Sequence, residues 1–365
     1  MSPKVSFVVP CYKLAHLLGE CLGSILSQTF TDFEVLVMDD CSPDNTGEVA
    51  ASFNDSRIRY IRNEPNLGHL RNYNKGIELS RGEYVWLISA DDKLIQKHAL
   101  SRYVALMDAN PKAGYICSSA VEIRDGRETP VAKYSVQADR DTVFDGHDLL
   151  RRLLYSNSIV AASGMVRKSC YNRLGAFPLD LPYAGDWYLW CLFALYYQVA
   201  YCAEPLVGYR IHEQSMTDSL ATDNVEVCIN DCLAVLWRIK RSAEQANLHR
   251  VAKRCDHAIG YAYAQQMIGT RYRFRKTTMS PQDCAASIRR LARSDRETDW
   301  ILARTYVSAG DLYSQTGDSA RAAEFYRRAA RHHFVMPMLY LKALLLSLGP
   351  AGSAIRRSMA TLRGV

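Results

Sequence analysis

The chain has no long apolar run. None of its 365 residues belongs to a stretch of the about 18 apolar residues that a membrane-spanning helix needs. Near the N-terminus, only the short and mostly apolar run 5–9 follows Lys4 before Pro10, which is too short for the core of a secretory signal. We therefore expect a soluble or peripheral protein in the cytoplasm, with the cytoplasmic face of the inner membrane as the alternative location.

Paired cysteines are also lacking. The eleven cysteines are odd in number, lie singly and include no C-x-x-C pair. This spacing argues against a disulfide framework or a zinc site and indicates reduced thiols. Cys228 and Cys232 lie four positions apart in a helical pattern, without other metal ligands nearby, and are predicted to be packing residues.

Several motifs of nucleotide-binding and hydrolytic enzymes are missing. No G-x-G-x-x-G follows the first predicted strand, which argues against a dinucleotide cofactor, and no G-x-x-x-x-G-K-[ST] loop supports a nucleoside triphosphatase. G-x-S-x-G and H-E-x-x-H are absent as well. Any catalytic site must therefore be of another kind.

Charge divides the chain into two parts. The first 224 residues carry 22 Lys/Arg and 27 Asp/Glu, whereas the remainder carries 23 and 11. An acidic front half argues against a nucleic-acid groove. The basic back half suits an anionic membrane surface, an acidic polymer or a biosynthetic complex, and a merely solvated surface is equally compatible with it.

The front half alternates short apolar runs with helical patterns, which is typical of a mostly parallel sheet flanked by helices. Strands are predicted at residues 5–9, 33–38, 58–62, 84–88, 114–123, 160–166 and 199–211. Helices are predicted at residues 15–27, 69–80, 97–108, 146–155 and 187–197, with an irregular segment at 125–142. We predict an α/β domain at residues 1–220.

Residues 221–365 are almost wholly helical in pattern and are predicted to form an all-α domain. Small and aromatic residues at 303–334 have the spacing of one tetratricopeptide-like hairpin. Because stacked repeats need about three units, a hairpin packed on its neighbours is favoured over a peptide-binding array. The apolar residues 336–348 precede a basic tail and predict either a membrane-surface helix or a capping helix.

Candidate residues follow three of the predicted strands. They are Pro10 and Tyr12 after the first strand, Asp39 and Asp40 after the second, and Asp91 and Asp92 after the fourth. Ligands of open parallel sheets bind beyond the carboxyl ends of the strands, so these residues are candidates as a group. A carboxylate at Asp40 suits the N3–H of a uracil or thymine ring, and Tyr12 suits stacking on the base. Taken alone, the aspartates of residues 39–44 are better explained as turn residues that bind their own backbone.

Asp91 and Asp92 are adjacent carboxylates after an apolar strand. They repel each other unless a cation or a fixed set of donors compensates. Oxygen ligands suit Mg²⁺ or Mn²⁺, which also bind substrate phosphates. The pair therefore predicts a metal that bridges a diphosphate, and a hydrated surface turn is the alternative.

Two further candidates stand alone in the sequence. Asp186 precedes an aromatic helix, where a helix N-cap is the favoured interpretation and a general base the functional one. His212 is a possible metal ligand, although a single histidine is more often structural.

Taken together, the motifs resemble the family 2 glycosyltransferases over residues 4–215. The motifs that carry the resemblance are Val-Val-Pro-Cys-Tyr at 8–12, Met-Asp-Asp-Cys-Ser-Pro-Asp at 38–44, Asn-Leu-Gly at 66–68 with Leu-Arg-Asn at 70–72, Arg-Gly-Glu-Tyr at 81–84, Ala-Asp-Asp at 90–92 and Gly-Asp-Trp at 185–187. The resemblance implies an A-type glycosyltransferase fold and an inverting sugar transfer.

The resemblance also implies a role for each candidate residue. The residues implied to bind the nucleotide-sugar donor are Pro10, Tyr12, Asp40, Arg71 and Asp91. Asp92 is implied as the ligand of Mn²⁺ or Mg²⁺ and Asp186 as the general base.

Two positions depart from the family pattern. Lys13 stands where Asn is common, and Gly185 stands where Glu often precedes the base. Neither departure removes a catalytic group, but Gly185 changes the surroundings of Asp186.

The leading hypothesis is a metal-dependent hexosyltransferase that moves a sugar from a nucleotide-diphosphosugar to a glycan or lipid-linked acceptor in surface polysaccharide synthesis. UDP-sugars are expected first and dTDP-sugars remain open, since both bases present the same N3–H. A nucleotidyltransferase and a catalytically silent assembly scaffold that uses the helical half are the alternatives.

Overall fold

The computed structural model of the protein describes residues 2–212, 215, 224–269 and 279–332. Its contacts divide the chain between residues 219 and 220 into two compact units. The predicted domain boundary at residue 220 lies in the segment 216–223, outside the described residues. No helix in the described part of the chain is long and apolar enough to cross a membrane.

The first unit contains one mixed sheet of ten described strands, in the order β3-β2-β1-β4-β9-β6-β10-β5, with β7 beside β6 and β8 beside β10. The strands are β1 Val5–Cys11, β2 Phe33–Asp39, β3 Ile58–Arg62, β4 Tyr84–Leu87, β5 Lys93–Leu94, β6 Ala113–Arg124, β7 Arg127–Val131, β8 Thr142–Phe144, β9 Met165–Arg167 and β10 Gln198–Arg210.

Helices flank this sheet, as the alternating sequence pattern predicts. They are α1 Ala15–Leu26, α2 Thr46–Ser52, α3 His69–Leu79, α4 Ala99–Ala109, α5 Gly146–Leu153, α6 Lys168–Leu174 and α7 Gly185–Tyr196. The predicted fold class, a mixed sheet flanked by helices and followed by a helical region, is confirmed.

The centre of the sheet places the candidate residues. β1 lies between β2 and β4 and is parallel to both, because each strand is a buried run that needs a partner on either side. At its carboxyl end, Asp40 N donates to Cys11 O at 2.9 Å and Ala90 N donates to Pro10 O at 3.1 Å. The ends of β2 and β4 therefore meet beside the end of β1.

An aromatic stack on the sheet positions the turn at residues 161–163. The Trp86 ring of β4 stacks between Phe7 and Tyr103, with centroid distances of 5.3 and 4.4 Å. Its indole N–H donates to Ala162 O at 2.8 Å. This bond holds the short 3-10 turn Ala161–Ser163 against the sheet.

Several local predictions are wrong in detail. Pro10 lies inside β1 rather than after it, because the strand continues to Cys11. Residues 125–142 contain β7 and the start of β8, and residues 160–166 contain a 3-10 turn before β9 instead of one strand. Helix α6 was not predicted, since its seven residues are too few to show a helical period.

The second unit is helical in its described residues, with α8 Val225–Gln245, α9 His249–Ile268, α10 Pro281–Leu291, α11 Asp295–Gln315 and α12 Ser319–His332. Helices α11 and α12 pack against each other. A side chain at Gly310 would approach the Tyr326 ring to 2.6 Å, which is why a small residue occurs there. Residues 333–334 of the predicted hairpin and the predicted helix 336–348 lie outside the described residues.

Candidate active site

The first candidates lie at the end of β1. Tyr12 follows the strand and is 45% exposed, so its ring is accessible for stacking. Lys13 Nζ lies 5.0 Å from the centre of that ring. Pro10 is buried in the strand, and its carbonyl is used by Ala90.

Asp40 is 4% exposed and organises the segment that leads into α3. Its Oδ1 accepts hydrogen bonds from Asn63 Nδ2 at 3.0 Å and Leu67 N at 2.8 Å, and its Oδ2 accepts one from Gly68 N at 2.9 Å. A carboxylate has about four acceptor positions, so one remains on Oδ2. No local sequence pattern predicts these internal hydrogen bonds.

Asp91 and Asp92 lie in the turn that follows β4, where Asp92 is buried and Asp91 is half-buried. Arg210 of β10 donates its backbone N–H to Asp92 Oδ1 at 2.9 Å and its Nε–H to Asp91 O at 2.8 Å. His212 Nε2 lies 3.0 Å from Asp91 Oδ2. Asp91 Oδ1 is buried without a hydrogen-bond partner among the described residues. The end of β10 therefore lies beside the end of β4, and Arg210 and His212 contact Asp91 and Asp92 there.

The two carboxyl groups differ in ionisation. Burial and the neighbouring Asp91 charge raise the pKa of Asp92 well above its usual value. Burial opposes ionisation of Asp91 too, but the hydrogen bonds from His212, Ser89 and the backbone, together with the His212 charge, outweigh it and lower the pKa of Asp91. Such opposite shifts in adjacent groups are characteristic of functional sites.

Asp186 is half-buried at the start of α7. Ala184 is the N-cap of this helix and Asp186 lies two residues later, so the interpretation of Asp186 as an N-cap is wrong. Its Oδ2 accepts a hydrogen bond from Asn157 Nδ2 at 3.0 Å, and its Oδ1 accepts one from Trp187 N at 2.6 Å. Burial raises the pKa of Asp186, and these two hydrogen bonds offset part of the rise.

One cavity of about 160 Å³ brings Asp91, Asp92 and Asp186 together. We call it the transfer cavity. Its described lining residues come from α3, the end of β4 and the turn after it, the 161–164 turn, α6, the segment 177–183, the first half of α7, the end of β10 and Ser215. Pro10, Tyr12, Asp40, Arg71 and His212 do not belong to this lining set. Arg71 is exposed on α3. The residue before it, Leu70, does line the cavity.

Sequence reasoning missed three residues of the site. Tyr73 lies one turn after His69 on α3 and lines the transfer cavity. Arg210 was not predicted, although it lies two positions before the candidate His212. Asn157 follows α5 in a polar loop, and no sequence signal distinguishes it from its neighbours.

The sheet and the acidic strand ends define an A-type glycosyltransferase fold. Residues 6–169 match the model of Glycosyl transferase family 2. The family whose model matches this front part of the chain is thus the one that the sequence motifs resemble.

Two of the curated relatives are described as glycosyltransferases. An uncharacterized glycosyltransferase of Rickettsia typhi is 26% identical over 218 residues, which are 60% of this chain and 67% of that protein. The glycosyltransferase GlyG of Streptococcus pneumoniae serotype 4 is 38% identical over 94 residues, 25% of this chain. That match spans only 31% of GlyG.

Among solved structures, residues 1–349 of S. aureus TarS in complex with UDP-GlcNAc superpose with a TM-score of 0.62 and 18% identity. The superposition covers 91% of this chain and 92% of that one. At this identity the likeness establishes the fold alone.

Proposed function

We propose that the protein is an inverting glycosyltransferase that moves a sugar from a nucleotide-diphosphosugar, first of all a UDP-sugar, to a hydroxyl group of its acceptor. The observation that carries the proposal is the transfer cavity, in which Asp91 and Asp92 share one space with Asp186. A glycan or lipid-linked acceptor in surface polysaccharide synthesis, at the cytoplasmic face of the membrane, is part of the same proposal.

Asp186 supplies the base. An inverting transfer is a single displacement, so it needs one carboxylate to take the acceptor hydroxyl's proton and no covalent nucleophile. Burial raises the pKa of Asp186 and thereby makes its ionised form a stronger proton acceptor. Asn157 and Trp187 N hold the two carboxylate oxygens in place.

The residues at the end of β4 suit a divalent cation. Asp92 would hold Mn²⁺ or Mg²⁺, because its buried carboxyl group is a hard oxygen ligand with a single described hydrogen bond. The unpartnered Oδ1 of Asp91 supports the same assignment, whereas ligation by His212 would require its Nε2 to leave Asp91. When bound, such a cation stabilises the negative charge of the departing nucleoside diphosphate as a Lewis acid.

Few protein ligands are available for that cation. No group of three or more His, Cys, Asp or Glu side chains in the described part of the chain is arranged to hold a metal. Mg²⁺ and Mn²⁺ typically use one or two carboxylates together with substrate phosphates and waters. We therefore expect metal binding to depend on the bound nucleotide.

The nucleotide lies at the ends of β1 and β2 in this proposal. The exposed Tyr12 ring is available to stack on the base, and the remaining acceptor position of Asp40 Oδ2 suits an N3–H donor. Arg71 is exposed and carries the positive charge that phosphates require. The UDP-GlcNAc bound by TarS is compatible with uracil as the first choice.

The test combines binding and turnover. Calorimetry with UDP, dTDP and GDP, each with and without Mn²⁺, selects the nucleotide, and hydrolysis or transfer from matching donors follows. Asp186→Asn should retain nucleotide binding but lose about 10²–10⁴-fold in kcat. Asp148→Asn, at an exposed position, is the control.

Three outcomes would count against the proposal. Unchanged turnover in Asp186→Asn would remove the base assignment. Pyrophosphate release from a nucleoside triphosphate would favour a nucleotidyltransferase. Failure to bind any nucleotide sugar, with or without metal, would favour a silent scaffold.

A further inference from the structure

The walls of the transfer cavity are largely aromatic. Six of its described lining residues carry aromatic rings: Tyr73, Tyr171, Phe177, Tyr183, Trp190 and Tyr209. Tyr73 is held by edge contacts with His69 and Phe177, whose ring centres lie 5.6 and 5.4 Å away. Aromatic faces provide a large apolar surface together with a few polar edges. Such walls suit a sugar ring, which has apolar C–H faces and hydroxyl edges.

The cavity has more acidic than basic residues in its described lining. Asp91, Asp92 and Asp186 are its described acidic residues, and Arg210 and His69 are the described basic ones. The Arg210 guanidinium is already used, since its Nε donates to Asp91 O and its Nη2 lies 2.6 Å from Glu20 Oε2. No other Lys or Arg appears among the described lining residues.

His69 does not supply a positive charge to the cavity either. Its Nε2 lies 3.1 Å from Pro182 O, a carbonyl that accepts only from a protonated nitrogen. Burial lowers the pKa of His69, which keeps the ring neutral near pH 7. A uronate carboxylate brought into the cavity would therefore find no described side-chain cation free to pair with it, and a metal ion held at Asp92 would be matched by the charges of the diphosphate.

A neutral hydrogen-bond donor is present instead. The Tyr73 hydroxyl makes no hydrogen bond to any described residue, and it lines the same cavity as the three aspartates. Burial and the charges of Asp91, Asp186 and Asp92 raise the pKa of Tyr73, so the hydroxyl stays protonated and can donate. A sugar hydroxyl or ring oxygen is a suitable acceptor.

We infer that the transfer cavity selects donors whose transferred sugar is uncharged, such as hexoses and N-acetylhexosamines, and rejects uronic acids. The inference rests on the proposed function, because the anomeric carbon must lie between the diphosphate near Asp92 and the base Asp186. Asp92 and Asp186 both line the cavity, so the sugar ring occupies it. The aromatic walls, the acidic lining and the occupied Arg210 together set the preference.

The experiment compares sugars that differ only at carbon 6. The full-length protein is given UDP-glucose, UDP-galactose, UDP-GlcNAc and UDP-GalNAc, and in parallel UDP-glucuronate and UDP-galacturonate, all with Mn²⁺. The nucleotide, the diphosphate and the metal are the same in every reaction. The initial rate of UDP release reports the use of each sugar, and competition by UDP alone reports nucleotide binding.

We expect the best neutral donor to exceed both uronate donors by at least about 30-fold in kcat/KM, since a charge taken out of water without a partner is costly. A smaller discrimination would overturn the inference while leaving the proposed function intact. Loss of UDP binding and of turnover with every donor would instead overturn the proposed function.

Two substitutions at one position test the cause. Tyr73→Arg brings a cation to the cavity wall and should narrow the discrimination against uronates. Tyr73→Phe keeps the ring, should lower the rate with neutral donors and should preserve the discrimination. An unchanged ratio in folded Tyr73→Arg protein would contradict charge as the cause, and the wild-type comparison decides the inference if that variant fails to fold.

Discussion

Asn157 Nδ2 donates a hydrogen bond to Asp186 Oδ2 across 3.0 Å, although 29 positions separate the two residues in the chain. The other oxygen of Asp186 is occupied by Trp187 N. Each carboxylate oxygen thus has one fixed donor, which orients the proposed base toward the transfer cavity. Asn157 is therefore a positioning residue, and its loop contributes to the site through Asp186.

Replacing Asn157 with Ala should lower kcat and shift the pH dependence. The hydrogen bond lowers the pKa of Asp186 against the effect of burial, so its loss raises that pKa further. The base must be ionised, and the acid limb of the pH profile of kcat/KM should consequently move to higher pH. We expect kcat to fall about ten-fold, the value of one hydrogen bond to a charged group.

The control for Asn157→Ala is Ser156→Ala, at an exposed position of the same loop. Its pH profile should match that of the wild type. An acid limb that stays in place in Asn157→Ala would show that this hydrogen bond does not tune the base.

Removing the metal should abolish most of the activity. We expect EDTA to reduce turnover by at least about 100-fold, because Lewis-acid stabilisation of the leaving group contributes several kcal/mol. Asp92→Asn should lose the additional thermal stabilisation that Mn²⁺ gives in the presence of UDP, while UDP alone should stabilise it as it does the wild type. Full activity after exhaustive chelation would exclude a metal requirement.

Gly164 is predicted to tolerate no side chain. A Cβ atom at this position would lie 2.2 Å from Cη2 of the Trp190 ring, which lines the transfer cavity. Gly164→Ala must displace that ring and should cost about 1–3 kcal/mol in the free energy of unfolding, as overpacking does. Urea unfolding measures this change, and donor turnover should fall because the displaced ring alters the cavity.

Gly19→Ala provides the matched control, since a Cβ atom there meets no atom within 4 Å. In the interior of α1 this change should stabilise the protein by up to about 1 kcal/mol. Equal stability of Gly164→Ala and the wild type would show that the Trp190 ring can move aside without a loss of stability.

The helical unit should lose stability in acid through Glu297. Burial opposes its ionisation, but hydrogen bonds from Arg241 and Lys240 lower the pKa of Glu297 from 4.5 to about 2. Because the folded-state pKa is the lower one, the stabilisation is present above pH 4.5 and is lost as the pH falls toward 2. Glu297→Gln should therefore destabilise the chain at pH 7 and much less at pH 2.

Urea unfolding of the full chain at both pH values measures this difference. Glu324→Gln, whose pair with Arg328 is largely exposed, should change the free energy of unfolding by less than about 0.5 kcal/mol at either pH. A destabilisation by Glu297→Gln that does not depend on pH would indicate lost packing rather than a lost charge.

The order of the front elements was predictable because local patterns encode it. The buried runs of β1 and β2 and the helical spacing of α1 each express themselves within a few residues. Short elements were not predictable in this way. Helix α6 and the turn Ala161–Ser163 are defined by tertiary contacts, among them the bond from Trp86 Nε1 to Ala162 O.

The sequence by itself determined the alternation of strands and helices, the acidic residues at the strand ends and the family resemblance that singled out Asp186. Only the tertiary structure decided that Asp186 shares a cavity with Asp91 and Asp92, and that His212 contacts Asp91 across 121 positions. It also decided that Arg210 is occupied, which leaves the cavity without a free cation among its described residues. The reason is physical: a strand's burial follows from its own residues, whereas the charge and shape of a cavity depend on distant segments that meet only in the folded chain.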